Sequence, residues 1–112
     1  MISFPFVGGE KTIELESILY VQTEGHRNVF YVADGKKMVQ LRIYAKLDDI
    51  EKELILLGFA RCHRSCIVNL KRVKNLSNYL MTLDTGEVFS IPRGRYQSVK
   101  EQFNNLKGIS CN

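Results

Sequence analysis

Residues 18–43 have the sequence ILYVQTEGHRNVFYVADGKKMVQLRI, which contains three short runs rich in Ile, Val, Phe and Tyr. Such runs are typical of β-strands when turn residues bound them. Glu24-Gly25 and Asp34-Gly35 lie between the runs, and Asp-Gly favours a tight hairpin because glycine tolerates the positive φ that the turn requires. The stretch therefore predicts strands over Ile18–Gln22, Val29–Val32 and Lys37–Ile43.

Strand-like runs continue on both sides of this stretch, and one helical pattern interrupts them. Apolar residues recur every three or four positions from Leu47 to Leu57, and Gly58 follows as a stop. This spacing predicts an amphipathic helix over about Tyr44 to Leu57, and a last helix is expected over about Arg95 to Leu106. A second hairpin is predicted around Asp84-Thr85-Gly86. The further strands are expected at Ile2–Phe6, Thr12–Leu15, Phe59–Cys62, Ile67–Leu70, Tyr79–Leu83 and Val88–Ile91.

The predicted fold class is mainly β, a compact antiparallel β-sheet fold with one amphipathic helix mid-chain and a short C-terminal helix. The order of elements is neither the alternation of a parallel βαβ fold nor a helix-turn-helix. The 112 residues fit one domain, 1–112, with its core over about 13–105. The aromatic residues are expected mainly in the core: Tyr20, Phe30, Tyr31, Phe59, Tyr79, Phe89, Tyr96 and Phe103.

Composition limits the compartment and the redox chemistry. No apolar run approaches the ~18–20 residues of a membrane span, and the first residues lack the basic region of a signal peptide. We therefore expect a cytoplasmic protein that does not contact a membrane. Its three cysteines, Cys62, Cys66 and Cys111, are an odd number, which favours reduced thiols over a secreted disulfide framework.

Charge is unevenly distributed along the chain. Lys and Arg outnumber Asp and Glu by 16 to 12, for a net charge of +4. The segment 61–74 contains five of the basic residues and no acid, whereas four acids crowd residues 48–53 just before it. This asymmetry indicates a basic face and points to a polyanionic partner.

Residues 59–69, FARCHRSCIVN, allow several kinds of chemistry. A metal site from Cys62, His63 and Cys66 is disfavoured, because in one extended strand the two cysteines would lie ~13 Å apart. A phosphatase loop from Cys66 to Arg72 lacks the glycines that wrap a phosphate. A Cys/His catalytic pair is disfavoured because neighbours on a strand point to opposite faces. We expect no metal, no cofactor and no catalytic residue, with a small cysteine-dependent enzyme as an alternative.

Three polar clusters remain, at residues 23–28, 61–69 and 92–95, and each contains arginine in a turn-like setting. Arg and His side chains can meet phosphate oxygens and the acceptor edge of guanine. Loops on a rigid β scaffold can present such residues to a duplex without a recognition helix. Each cluster is equally compatible with an ordinary solvated turn, so the residues alone leave both interpretations open.

The chain resembles the LytTR family of bacterial DNA-binding domains from about Ile13 to Phe103. The matching motifs are ILYVQTE at 18–24 with His26 just after it, FARCHRS at 59–65, IVN at 67–69, LDTG at 83–86 and IPR at 91–93. The resemblance implies a mostly antiparallel β fold and binding to double-stranded DNA. It also implies an output domain of a two-component response regulator, with a receiver domain possible in the parent protein and absent from this chain.

The resemblance also assigns roles to residues. It implies base contacts by His26, Arg64 and Arg93, with Arg27 beside the first of them. An ion pair with the acidic helix is the alternative role for Arg64. Ser65 and Asn69 become structural or phosphate-facing groups. The full set expected to contact phosphates or to support the site is Arg27, Arg61, His63, Ser65, Asn69, Lys71, Arg72, Lys74 and Arg95.

The expected partner is double-stranded DNA at promoter direct repeats, bound by a possible homodimer. An RNA-binding or single-strand-binding barrel is an alternative class. Such a barrel needs exposed aromatic residues among the basic ones. The segment 61–74 contains no aromatic residue, which disfavours this class.

Overall fold

The larger of two sheets is built around the hairpins predicted from residues 18–43. The computed structural model of the protein describes residues 2–108. Within them the larger sheet has seven antiparallel strands in the order β2-β1-β5-β4-β3-β7-β6. The strands are β1 (Ile2–Phe6), β2 (Gly9–Ile13), β3 (Ile18–Glu24), β4 (Arg27–Asp34), β5 (Lys37–Ile43), β6 (Phe59–His63) and β7 (Cys66–Asn69).

A smaller sheet and two helices complete the described part of the chain. The smaller sheet has the antiparallel order β10-β9-β8, from β8 (Val73–Ser77), β9 (Leu80–Leu83) and β10 (Val88–Ser90). Helix α1 is Leu47–Leu54 and helix α2 is Arg93–Leu106, and short 3₁₀ turns lie at Leu15–Ser17, Ile55–Leu57 and Leu70–Arg72. The predicted fold class is confirmed. No helix within residues 2–108 is long and apolar enough to cross a membrane.

The larger sheet buries apolar side chains on both faces. Phe30 and Val32 of β4 belong to one core cluster, while Tyr31 and Ala33 pack against the other. This alternation follows from the two-residue period of a strand. The first cluster also contains residues of β1 and α1, and the second contains residues of the smaller sheet and α2. The sheet is thus a central layer, and its strand ends and turns stay at the surface.

The predicted turns form where glycine supplies a left-handed backbone. Gly35 has φ of 63° between β4 and β5, and Gly86 has φ of 102° between β9 and β10, so both predicted hairpins are confirmed. The mid-chain helix begins later than predicted because Lys46 is still extended, with φ of −69° and ψ of 143°. It ends in a 3₁₀ turn before Gly58, whose φ is 92°.

Four further details of the prediction were wrong. The strand expected at Thr12–Leu15 lies at Gly9–Ile13 as an edge strand, and α2 begins at Arg93 rather than Arg95. The strand Val73–Ser77 was not predicted, because its sequence VKNLS alternates little and carries few β-branched residues. Tyr79, expected in the core, is 42% exposed because it lies in the turn before β9.

Candidate DNA interface

Two of the three polar clusters meet at one end of the larger sheet. The β3–β4 turn carries His26 and the β6–β7 turn carries Arg64, and β3 and β7 are neighbours. The main-chain N–H of Thr23 donates to the carbonyl of Ser65 at 2.9 Å, which joins the two turns. We call this end, residues 24–27 and 63–65, the upper end, and residues 34–37 and 69–72 the lower end. His26 and Arg64 are both exposed at the upper end.

The turn that carries His26 is anchored from below by a buried amide. Gly25 adopts φ of 65°, which lets the chain reverse between β3 and β4. The side chain of Asn28 is buried, accepts from the Thr23 hydroxyl at 2.6 Å and donates to the carbonyl of Ala45. These bonds hold the base of the turn and leave His26 at its tip.

Arg27 lies beside His26 and has an aromatic partner. Its guanidinium carbon lies 5.3 Å from the ring centre of Tyr44, within the range of a cation–π contact. Both residues are exposed, and Tyr44 is 69% exposed. Arg27 therefore stays available to solvent while its side chain is partly oriented by the ring.

The second turn, at residues 63–65, is shaped by its own histidine. His63 Nδ1 lies 2.9 Å from Ser65 Oγ and accepts the main-chain N–H of Ser65 at 3.3 Å. An accepting Nδ1 leaves the proton of a neutral imidazole on Nε2. His63 and Ser65 are half-buried, so they define the conformation of the turn more than they extend from it.

The side chain of Arg61 fixes this turn to helix α1. Its side chain is 12% exposed, and Nε donates to the carbonyl of His63 at 3.0 Å while Nη2 donates to the carbonyl of Arg64. Nη1 lies 2.9 Å from Asp48 Oδ1 and 2.8 Å from Glu51 Oε1. The hydrogen bond and the charge of the guanidinium hold the pKa of Asp48 below its ordinary value of 3.8.

This arrangement bears on the alternative role considered for Arg64. The ion pair with the acidic helix, considered for Arg64, is made by Arg61. Within residues 2–108 the structure gives the Arg64 side chain no ion pair. Arg61 donates inward to carbonyls and carboxylates, so it supports the turn and does not extend toward a phosphate.

The third cluster reaches the same end of the molecule through the smaller sheet. Just before β10, Glu87 lines a cavity with Lys36 and Arg72, which lie toward the lower end. The last residue of β10, Ser90, lines another cavity with His63 at the upper end. The chain therefore runs upward along β10 and enters α2 beside the β6–β7 turn.

Arg93 and Arg95 occupy the first turn of α2. Arg93 is exposed, and its guanidinium carbon lies 5.5 Å from the ring centre of Tyr79. Arg95 is half-buried and Nη1 donates to the carbonyl of Arg61 at 3.4 Å, which connects α2 to β6. The start of α2 is thus held against the strand that leads to the Arg64 turn.

The remaining basic residues of the segment 61–74 do not join this group. Lys71 and Lys74 are exposed beyond the other end of β7, whose four residues span ~10 Å. Arg72 donates from Nη1 to the carbonyl of Glu16 at 3.2 Å and lies 3.1 Å from Asp84. The structure therefore places these three cations toward the lower end.

Asn69 serves the fold. It is 1% exposed, and its amide donates to the carbonyls of Leu15 at 3.2 Å and Ile18 at 2.8 Å. Its Oδ1 accepts the main-chain N–H of Lys71 at 3.1 Å. With its amide used in this way, Asn69 can affect the interface only by supporting the backbone.

The distance expected between the two cysteines was wrong. The chain reverses at residues 64–65, so His63 pairs with Cys66, and Cys62 Sγ lies 3.8 Å from the Cys66 carbonyl oxygen. Both thiols are free and buried, and the hydrogen bond that the Cys66 thiol donates to the Cys62 sulfur, together with burial, raises the pKa of Cys66. Buried thiols of this kind act as packing residues. Cys111 lies outside the described residues.

The residues considered for a metal site, Cys62, His63 and Cys66, lie next to the β6–β7 turn. Within residues 2–108 the structure contains no group of three His, Cys, Asp or Glu side chains that is placed to hold a metal ion. The exposed side chains at the upper end include His26, Arg27 and Arg64, which can donate hydrogen bonds to anions and to base edges. Glu24 is also exposed there, and its carboxylate accepts the hydroxyl of Tyr31.

Comparisons with known proteins bear on the family and the fold. The sequence profile of the LytTr DNA-binding domain matches residues 10–104. No curated protein matches the sequence significantly. A solved structure with a similar fold is the LytTr DNA-binding domain of a protein described as a methyl-accepting/DNA response regulator from Bacillus cereus. It is 21% identical, has a TM-score of 0.68, and the match covers 96% of each chain.

Exposed arginine and histidine side chains at one end of a β scaffold are suited to contact a nucleic acid. The profile match covers most of the chain, and the chain belongs to the LytTR family of DNA-binding domains. The resemblance seen in the sequence is thereby confirmed.

Proposed function

We propose that this domain binds duplex DNA sequence-specifically and contacts major-groove bases through His26, Arg64 and Arg93. One observation carries the proposal: His26 and Arg64 on two turns and Arg93 at the start of α2 are exposed and lie toward the same end of the scaffold, although they come from distant segments. Arginine donates two hydrogen bonds to the O6 and N7 atoms of guanine, which is the commonest specific contact in the major groove. The free guanidinium of Arg64 suits this role better than any other in the segment 61–74.

The side chains near these three residues are proposed either to contact DNA or to support the turns. Arg27 is exposed at the upper end and is proposed to bind a phosphate, and a phosphate contact by the Ser65 hydroxyl is consistent with its half-buried position. His63, Arg61 and Arg95 support the turns through hydrogen bonds to the backbone or to each other's segments. Phosphate contacts fix the register of a protein on DNA, and base contacts carry the sequence information.

Lys71, Arg72 and Lys74 contribute to the positive field of the domain in this proposal but do not contact the bound site. Their position toward the lower end separates them from the turns that meet the duplex. This differs from the expectation drawn from their clustering in the sequence. Distance from the interface leaves them only a long-range electrostatic effect, which salt screens over ~8–10 Å.

In the cell, the domain is proposed to act in the cytoplasm as the output part of a bacterial transcription regulator. Two copies would occupy promoter direct repeats, and a receiver domain in the parent protein would control them. The domain acts by binding and not by catalysis. The family assignment supports the DNA-binding part of this role, and the Bacillus cereus relative described above is itself named as a response regulator.

A second function, binding of unpaired bases, is favoured by one specific observation. Tyr44 and Tyr79 are 69% and 42% exposed, and each lies against an arginine, so aromatic and basic groups do alternate at the surface. Such pairs can stack on single-stranded nucleic acid. Competition between a duplex and its separated strands discriminates the two functions, and we expect the duplex to win.

Selection from a random duplex library tests the proposed function directly. We expect enrichment of a defined sequence, with half-sites about one helical turn apart if two copies bind together. Recovery of no sequence above the starting pool, despite measurable binding, would contradict sequence-specific recognition. If single strands compete better than the duplex, binding of unpaired bases would replace duplex binding as the proposed function.

A further inference from the structure

The turn between β8 and β9 contains an unusual residue in an unusual conformation. Asn78 and Tyr79 adopt positive φ values of 52° and 63° in succession. Asparagine visits this region readily, whereas a bulky aromatic residue is rare there and costs free energy. Ser77 and Leu80 pair across this turn, and a two-residue hairpin of this kind requires positive φ at both central residues, so the hairpin holds Tyr79 in this conformation.

The conformation of Tyr79 brings both its backbone and its ring to the segment that carries Arg93. The Tyr79 carbonyl accepts the main-chain N–H of Ile91 at 2.9 Å. The ring centre lies 5.5 Å from the guanidinium carbon of Arg93 and 4.5 Å from the ring centre of Tyr96. One residue thus fixes the chain two positions before Arg93 and also contacts the Arg93 side chain.

Orientation matters for an arginine that binds a base. A free arginine side chain populates many rotamers, and ordering them on binding opposes association. An aromatic ring that attracts the guanidinium restricts these rotamers before DNA arrives. The Arg64 turn receives a comparable restraint from Arg61, which acts on its backbone.

We propose that Tyr79 is a positioning residue for DNA recognition, because it holds the Arg93 guanidinium in the orientation used for its base contact. The inference rests on the proposed assignment of Arg93 to a base contact and goes beyond it. It names a residue that the sequence placed in the core. Its effect is confined to the base pairs that depend on Arg93.

The test uses the 112-residue chain and a duplex obtained by selection. Dissociation constants are measured for the best site and for every single base-pair change in it. Tyr79→Gly removes the ring and retains a residue that favours the left-handed backbone, so the turn is preserved. Tyr79→Asn repeats this with a second residue that tolerates the same region. Tyr79→Phe keeps the ring, and thermal unfolding confirms that each variant is folded.

We expect Tyr79→Gly and Tyr79→Asn to weaken binding about two- to fivefold, as loss of an exposed cation–π contact predicts. The variants should discriminate less well at the base pairs where Arg93→Ala also weakens the sequence preference. Preferences that depend on Arg64 should not change. Tyr79→Phe should behave like the parent chain, and Tyr79→Gly should have no further effect when combined with Arg93→Ala.

Two outcomes would overturn the role of Tyr79 alone. In the first, Tyr79→Gly keeps its discrimination between base pairs while Arg93→Ala loses it. In the second, Tyr79→Gly weakens DNA binding by the same factor in the parent chain and in Arg93→Ala. If Arg93→Ala leaves every preference unchanged while Arg64→Ala relaxes its own, the assignment of Arg93 fails and the role of Tyr79 fails with it. If both arginine variants keep all preferences, the proposed interface as a whole is wrong.

Discussion

Arg61 donates a hydrogen bond to the main-chain carbonyl of Arg64 while its guanidinium is paired with the two carboxylates of helix α1. One arginine thus orders the turn, and the next arginine on that turn stays free for a partner. The two residues are three positions apart and have opposite environments, one 12% exposed at its side chain and the other at the surface. This division of roles explains how a short basic motif can both build a turn and offer a contact.

Replacement of Arg61 tests this division. Arg61→Met should lower the free energy of unfolding by about 1–3 kcal/mol, because two carbonyls and a half-buried carboxylate lose their donor. Arg61→Lys should recover only part of the loss, since a single ammonium cannot bridge carbonyls and carboxylates as the planar guanidinium does. Urea unfolding measures both. Equal stability of Arg61→Lys and the parent chain would show that charge alone matters.

Acid should release the same pairing. The folded pKa of Asp48 lies below its ordinary value of 3.8, so its contribution to stability is present above that value and is lost as pH falls through the lowered pKa. Asp48→Asn should therefore have a lower urea midpoint than the parent chain at about pH 6, and the gap should close below 3.8. A gap that stays constant down to acid pH would contradict the pairing.

Asn69 should affect stability and leave DNA contacts unchanged. Asn69→Ala leaves two carbonyls and a main-chain N–H without their partner, which should cost about 1–3 kcal/mol of unfolding free energy. The slope of log K against log salt should stay the same for the folded protein. A slope smaller by about one would mean that Asn69 contacts a phosphate after all.

The cations at the two ends should respond differently to substitution. Arg27→Ala should weaken binding to all sequences alike and reduce the salt slope by about one, as loss of one phosphate contact does. Lys71→Ala and Lys74→Ala remove the same charge toward the lower end and should leave the slope unchanged. Titrations at several salt concentrations measure this. Equal slopes for Arg27→Ala and Lys74→Ala would contradict the position of the interface.

Local patterns in the sequence were sufficient for much of the fold. Asp34-Gly35 and the spacing from Leu47 to Leu57 each encode their structure within a few residues, because a turn and an amphipathic helix are local. The strand Val73–Ser77 was missed because its five residues do not by themselves favour a strand, and its pairing with β9 cannot be read from them. Pairing with the next segment of the chain overrode the weak β propensity of these residues.

The sequence predicted which residues to consider for the candidate site but not how they are arranged. Charge clustering alone did not separate Arg61 from Arg64, because the partners of Arg61 lie in a helix 10 to 13 positions away. The acids before the basic segment were the available signal for that pairing. Tyr79 carried no signal, since a turn tyrosine and a core tyrosine look alike until the backbone shows its positive φ.

The central claim is that Arg64 contacts a base from a turn held at the upper end of the scaffold. It is tested most directly by titrating the selected duplex with Arg64→Ala, with Lys71→Ala as the control that removes one exposed positive charge toward the other end. We expect Arg64→Ala to bind about 5- to 150-fold more weakly and to lose its preference at particular base pairs, whereas Lys71→Ala keeps both affinity and preference. Unchanged binding of Arg64→Ala to the best site, with all base preferences retained, would contradict the account.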